Sequence, residues 1–253
     1  MLVKQAANVL EILEYFAKRR RPATLSEVAD ELGWPRSSAF NLLGTLADKG
    51  FLYEPRTRGG YYPSPRWLSL VQTIADAEPL PEAAYSLVAE IAEETGETTA
   101  IGAPAGTSAL FIHVVESNSP IRYFAQVGHK LPIHASSTGR AILAQYSRDE
   151  RYALYRKISF QQYSETTPTS MEAVEAELRR SAERGWHQSL ADFSPDLVGV
   201  ALPLPIQSRR LSLVVAGPMF RCRDRIPETA AALQRAVRRF SDLLELSEAP
   251  AAE

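Results

Sequence analysis

Residues 24–62, "TLSEVADELGWPRSSAFNLLGTLADKGFLYEPRTRGGYY", decide the fold of the first quarter of the chain. Thr24, with Glu27 three residues on, forms a capping box that starts a helix. Gly33 suits the left-handed end of that helix. Pro35 suits the first position of the next, where its missing N–H would have had no partner anyway. This later helix is expected to run to about Lys49, burying Phe40, Leu42, Leu43 and Leu46, with Gly50 closing it. "FLYEPRTRGGYYP" then reads as strand, basic turn, strand, a β-hairpin. Upstream, residues 3–19 carry an apolar face at Val9, Leu10, Ile12, Leu13 and Phe16, the spacing of a helix.

Three helices and a hairpin in this order describe a winged helix-turn-helix, whose later helix lies in the major groove of double-stranded DNA. Arg36, Ser37, Ser38 and Asn41 fall at its exposed start. Arginine suits guanine or phosphate, asparagine pairs with adenine through two hydrogen bonds, and serine bonds phosphate or base. Arg56 and Arg58 at the hairpin tip suit phosphate. Taken singly, a serine near a helix start is an ordinary cap and an exposed arginine an ordinary solvated charge. The succession of elements is what favours DNA.

The charge is distributed accordingly. The whole chain of 253 residues has a net charge of −2, yet residues 1–66 hold ten Lys/Arg against seven Asp/Glu. The remainder holds eighteen against twenty-three. Only the first quarter is locally basic, as a segment meeting a polyanion should be. At this length two domains are comfortable. No apolar run is long enough to span a bilayer, and the acids in "MLVKQAANVLEILEYF" argue against a signal peptide, so a cytoplasmic protein is expected. The single cysteine, Cys222, excludes an internal disulfide framework.

Ser64-Pro65 starts a further helix, "RWLSLVQTIADA", and another follows over 82–95. Beyond residue 97 the texture turns to short β-branched runs, over 98–103, 110–115, 121–127, 199–204 and 211–216. Helices intervene over 138–145, 149–155 and 171–184, and a last one spans 227–246. The expected class is α+β: a winged helix-turn-helix over 1–63, a connector helix over 64–80, a mostly antiparallel sheet domain over 81–248 and a polar tail over 249–253.

Two stretches of the second half, "GHKLPIHASSTGRAILA" (residues 128–144) and "RGWHQSLADFSPDLVGVALPLP" (184–205), carry a resemblance together with "LVVAGP" (213–218) and the helix-turn-helix. In that order they resemble the isocitrate lyase regulator (IclR) family of bacterial transcription factors. The resemblance implies a GAF-like effector-binding domain, a small organic acid or aromatic effector, and dimers or tetramers on palindromic operators. Carried onto this sequence, it places the effector pocket at Leu131, Ser137, Thr138, Ser189, Leu197, Gly199, Val214 and Ala216. Departures from the family pattern include Asp192 for Glu, Gly199 for Cys and Asn41 for the common Arg of the recognition helix. Val214 and Ala216 stand where members binding small 2-oxo acids carry serine. Two lost hydroxyls, and the volume gained at Gly199, imply a roomier and less polar pocket, suited to an aromatic or otherwise apolar carboxylate. The backbone amides of Ser137 and Thr138 would receive its carboxylate.

Other chemistry has weaker support. His113, His129, His134 and His187 lack metal-ligand spacing, so no metal or cofactor is expected. Ser136, His134 and Asp192 could be drawn as a hydrolytic trio, but no Gly-x-Ser-x-Gly elbow is present and no catalytic residue is assigned. Cys222 between two arginines invites a redox reading, against the plainer one of a buried thiol. Arg122, Tyr123 and Phe124, on the expected strand 121–127, could serve the pocket or a subunit contact, with core filling the default for half of that strand. The rival to a DNA-binding regulator is a ligand-binding protein or small hydrolase that never meets DNA.

Overall fold

The computed structural model describes residues 3–55, 59–77, 80–206 and 208–248. The chain divides into two compact units, residues 1–79 and 80–253.

The first unit opens with α1 (Lys4–Arg19), α2 (Leu25–Leu32) and α3 (Arg36–Asp48). The capping box at the start of α2 is formed: Glu27 N–H donates to Thr24 Oγ1 at 3.3 Å, and Thr24 N–H donates to Glu27 Oε2 at 2.8 Å. Gly33 ends α2 at φ +65°, and Pro35 is the N-cap of α3. Ile12, Tyr15 and Phe16 of α1 pack with Val28, Leu43, Leu46 and Leu52 in one core. Two expected core positions lie outside it. Leu10 and Phe40 are each 62% exposed. Leu10, two residues before Ile12, falls on the opposite side of α1, and Tyr15 fills the core instead. On α3 the inward arc passes through Ala39, Leu43 and Leu46, which turns Phe40 outward.

β1 (Leu52–Tyr53) and β2 (Tyr62–Pro63) pair antiparallel as the hairpin stem. Gly60, at φ +83°, passes so close to the Ala23 backbone that a Cβ would lie only 2.7 Å from Thr24 N. The hairpin is thereby seated on the α1–α2 loop. α4 (Arg66–Ala77) follows. Its first turn is fastened by Trp67 Nε1–H donating to Phe51 O at 2.9 Å and Arg66 donating to Lys49 O at 2.8 Å. The rest of α4 buries no residue, and Leu68, Leu70, Val71 and Ile74 are exposed.

The second unit holds α5 (Glu82–Thr95), β3 (Thr98–Ala105), β4 (Ser108–Val115), β5 (Lys130–Pro132), α6 (Ser137–Leu143), α7 (Arg148–Tyr155) and α8 (Met171–Arg184). These are followed by β6 (His187–Leu190), β7 (Leu197–Ile206), β8 (Arg209–Pro218), α9 (Met219–Cys222) and α10 (Ile226–Glu248). The six strands form one antiparallel sheet in the order β5-β4-β3-β8-β7-β6. Alternation sorts the side chains between the two faces. Ile101, Val200, Leu213 and Val215 join α5 and α10 in one core, while Ala100, Ala201 and Val214 join α6 and α8 in the other.

One expected strand is absent. Residues 121–127 alternate outward and inward but form no ladder. They are tethered singly, by Thr98 Oγ1–H donating to Tyr123 O at 2.7 Å and Gly128 N–H donating to Phe111 O at 2.8 Å. Among the described residues no helix is long and apolar enough to cross a membrane.

Candidate functional site

In the first unit α3 presents Arg36, Ser37, Ser38 and Asn41 to solvent. Among the described residues no hydrogen bond or ion pair engages their side chains. Arg19, by contrast, is taken up internally by Glu27 and Glu31 of α2 and is lost to any basic surface. Arg56 and Arg58 fall outside the described residues.

In the second unit, Leu131, Ser137, Thr138, Ser189, Leu197, Gly199, Val214 and Ala216 surround one small cavity of about 40 Å³. Phe111, Tyr123, Ser136, Phe193 and Val198 complete its wall. Sequence reasoning had no route to Phe111 and Phe193, which reach the cavity from β4 and the β6–β7 loop.

α6 supplies the polar end. Ser136 is its N-cap, its Oγ accepting from Gly139 N–H at 3.1 Å and donating to Pro132 O at 2.8 Å. The N–H groups of Ser137 and Thr138 have no acceptor among the described residues. The helix is pressed onto the sheet at two glycines and onto its own preceding turn at a third. A Cβ on Gly102 would run into Thr138 Cγ2, one on Gly139 would lie 2.5 Å from Ile133 Cα in that turn, and one on Gly199 would lie 2.5 Å from Ser137 Oγ. The last distance corrects the expectation of extra room at Gly199. The Ser137 hydroxyl already fills the space that the missing side chain leaves.

Arg140 anchors α6 from beneath. Fully buried, it donates to Asp192 Oδ2 at 2.6 Å, to His134 O at 3.1 Å and to Gln188 O. It therefore ties together the motif turn, β6 and the loop carrying Phe193. A buried arginine is tolerable only with its charge paired; Nη1 and Nη2 are bonded here, while Nε has no partner among the described residues. Asp192, where the family pattern has Glu, does the pairing. His134 donates to or accepts from nothing in a catalytic arrangement: its Nε2 lies 3.1 Å from Gln161 O, and its ring packs on Phe160. Burial, with Arg140 nearby, holds its pKa below the usual histidine value. Ser136, His134 and Asp192 thus make no hydrogen bond to one another, and the hydrolytic trio does not form. Burial, with Glu97 close by, pushes the Cys222 thiol up to about 12, contrary to a reactive thiolate.

The Tyr123 ring joins Phe111 and His129 in an aromatic cluster on the cavity wall. Its hydroxyl is buried without a partner, and burial pushes it up to about 12.

Residues 5–56 match the IclR helix-turn-helix domain, and residues 72–242 match the C-terminal domain of the bacterial transcriptional regulator IclR. The chain belongs to the IclR family. It is 25% identical to the transcriptional repressor IclR of Escherichia coli (strain K12) over 241 residues, 93% of this chain and 88% of that one. It is 24% identical to the HTH-type transcriptional regulator KdgR of the same strain, over 95% and 94% of the two chains. The IclR protein of Thermotoga maritima shares the fold with a TM-score of 0.77 at 19% identity, over 95% and 98% of the chains. An IclR homologue from Microbacterium hydrocarbonoxydans, solved in complex with 4-hydroxybenzoate, does so at 0.71 and 20%, over 93% and 97%. As an IclR-family member the chain is a DNA-binding transcriptional regulator with a C-terminal ligand-binding domain.

Proposed function

We propose that this regulator senses an aromatic or comparably apolar carboxylate and changes its grip on a palindromic operator in response, controlling a catabolic operon from the cytoplasm. The observation that carries the ligand class is the wall of the cavity. Phe111, Tyr123, Leu131, Phe193, Leu197, Val198, Val214 and Ala216 form most of it, and its hydroxyls lie at the start of α6, at Ser189 and at Tyr123. Such a wall favours a flat apolar body, because an unpaired polar atom of the ligand would cost its desolvation. The amides of Ser137 and Thr138, with the Ser137 hydroxyl, are the donors open to a carboxylate, whereas Ser189 Oγ–H already donates to Ala135 O at 3.4 Å. The unpartnered Tyr123 hydroxyl suits a polar substituent at the ligand's other end. The relative complexed with 4-hydroxybenzoate makes the same chemistry reasonable here.

DNA is contacted through Arg36, Ser37, Ser38 and Asn41 in the major groove, and through Arg56 and Arg58 on phosphates. One recognition helix contacts too few base pairs for operator specificity, so a homodimer or homotetramer is expected. The uncovered apolar side of α4 supports such pairing. Ligand acts by its difference in affinity between assemblies that fit the half-sites and those that miss them. Calorimetric titration with benzoate-type acids and with small 2-oxo acids tests the ligand class. Tight binding of the aromatic acids is expected; tight binding of the 2-oxo acids alone would refute it.

A further inference from the structure

Phe40 is the exposed aromatic on α3, 62% open to solvent in the middle of a helix whose neighbouring Ala39 is fully buried. An isolated exposed apolar residue is ordinary on a featureless surface. This surface is not featureless. At 100° per residue, Ala39, Leu43 and Leu46 turn inward, while Ser37, Phe40, Asn41 and Gly44 share the outward arc. The polar side chains on that arc have no partner in the unit, as noted above.

Gly44, one turn after Phe40, adds a second observation. A Cβ there would meet nothing within 4 Å, so nothing inside the unit calls for glycine. Yet glycine is the poorest helix former after proline. A bare backbone next to the ring lets this face approach an outside surface closely. The arc therefore offers one large apolar group, flanked by hydrogen-bonding groups and by cleared space. On the major-groove edge of duplex DNA, the matching apolar group is the thymine 5-methyl; every other recognition feature there is a donor or acceptor.

We propose that Phe40 is a specificity-determining residue, its ring packing on the 5-methyl group of a thymine beside the base read by Asn41. The proposal rests on the reading of α3 as the helix that enters the groove. It assigns thymine to a side chain that composition and periodicity had placed in the core.

The test uses the full chain and a duplex enriched from random DNA by binding to the wild-type protein. Each thymine of the enriched site is replaced singly by deoxyuridine, which removes only the methyl, and affinity is read by fluorescence anisotropy. At one thymine per half-site the wild type should lose about threefold to fivefold in affinity, the worth of one buried methyl. Phe40→Ala should bind the thymine and uracil duplexes equally, and Phe40→Leu should keep a reduced preference. Phe40 is exposed, so both variants should retain the wild-type melting temperature. Uniform tolerance of uracil by the wild type, or unchanged discrimination by Phe40→Ala, would overturn the assignment while leaving α3 as the DNA-binding helix. Failure of the wild type to enrich any sequence would instead remove the α3 reading itself, and this assignment with it.

Discussion

The close seating of α6 can be tested by making into alanine one glycine within it, Gly139, and one on the strand beneath it, Gly102; at Gly139 intrinsic propensity and packing pull in opposite directions. Gly139 lies inside a helix, where alanine is favoured by about 1 kcal/mol. Its added Cβ, however, would sit 2.5 Å from Ile133 Cα and 2.7 Å from Ile133 C. Carbon atoms in good contact are about 3.5–4.0 Å apart, so backbone must move by roughly 1 Å. The helix cannot yield freely, since Arg140 binds it to three other segments and Ser137 fills the space at Gly199. Overpacking of this kind costs about 1–3 kcal/mol. For a unit of this size, that is a fall of roughly 2–10 °C in melting temperature.

Gly102→Ala provides the contrast. Its Cβ would press on Ser212 Oγ at 2.9 Å and still more closely on Thr138 Cγ2, both side-chain atoms. Thr138→Ser removes that methyl and keeps the hydroxyl. Scanning calorimetry of the full chain should show Gly102→Ala destabilised alone, and largely recovered in the Thr138→Ser background. The coupling should be about 1 kcal/mol or more, well beyond the 0.3–0.5 kcal/mol scatter of independent sites. Gly139→Ala should have no comparable rescue from Ile133→Val, because the obstructing atoms are backbone. A neutral or stabilised Gly139→Ala, or strict additivity at Gly102 and Thr138, would refute the close seating.

Two further predictions concern DNA and pH. Arg56→Ala should weaken binding to all sequences and reduce the slope of log K against log salt by about 1, whereas Asn41→Ala should relax choice at one base pair by about 1–3 kcal/mol, both read by anisotropy titrations across potassium chloride concentrations. His187 is held down to about 3 by burial, with Arg140 and Arg184 adding to the effect, so it stays neutral in the folded chain. The unfolded chain takes up a proton near 6.5. Stability from this group is therefore full above about pH 6.5 and is lost as pH falls toward 3, at about 1.4 kcal/mol per pH unit. Denaturant melts of wild type and His187→Asn between pH 7 and 5 should show this slope in the wild type and a shallower one in the variant.

Much of the first unit was legible because its signals are local. The capping box at Thr24 and Glu27, Gly33 and Pro35 each act within a few residues, and each element they bound is present. Local pattern could not say which apolar positions would find a partner. Leu10 and Phe40 fit a helical stripe, but the three-helix core closes over Tyr15 and Ala39 instead. The strand expected over 121–127 failed for a related reason. Alternation fixes which way side chains point, while a ladder needs successive backbone bonds to a neighbouring strand; β5 makes these with Ser108–Leu110 of β4, and the segment before it is held by single bonds such as Thr98 Oγ1–H to Tyr123 O. Strands β5 and β6 were missed because three or four residues give too short a run for a period to show. At the cavity, resemblance supplied eight positions that the fold brings together and Tyr123 was read as serving the pocket or a subunit contact, whereas Phe111 and Phe193 converge through tertiary structure alone. Gly199 shows the limit of residue-by-residue substitution: the volume it releases is occupied by Ser137, far away in sequence.

The proposed function turns on a ligand in the cavity of the second unit governing how firmly α3 holds DNA. The most direct measurement is operator affinity, by anisotropy, with and without a saturating aromatic acid, for wild type and for Ala216→Phe, which fills the cavity. At least a fivefold ligand-dependent change is expected for the wild type and none for the variant, with equal affinities in the absence of ligand. A wild-type affinity indifferent to an acid that calorimetry shows bound, or an undiminished response in Ala216→Phe, would contradict it.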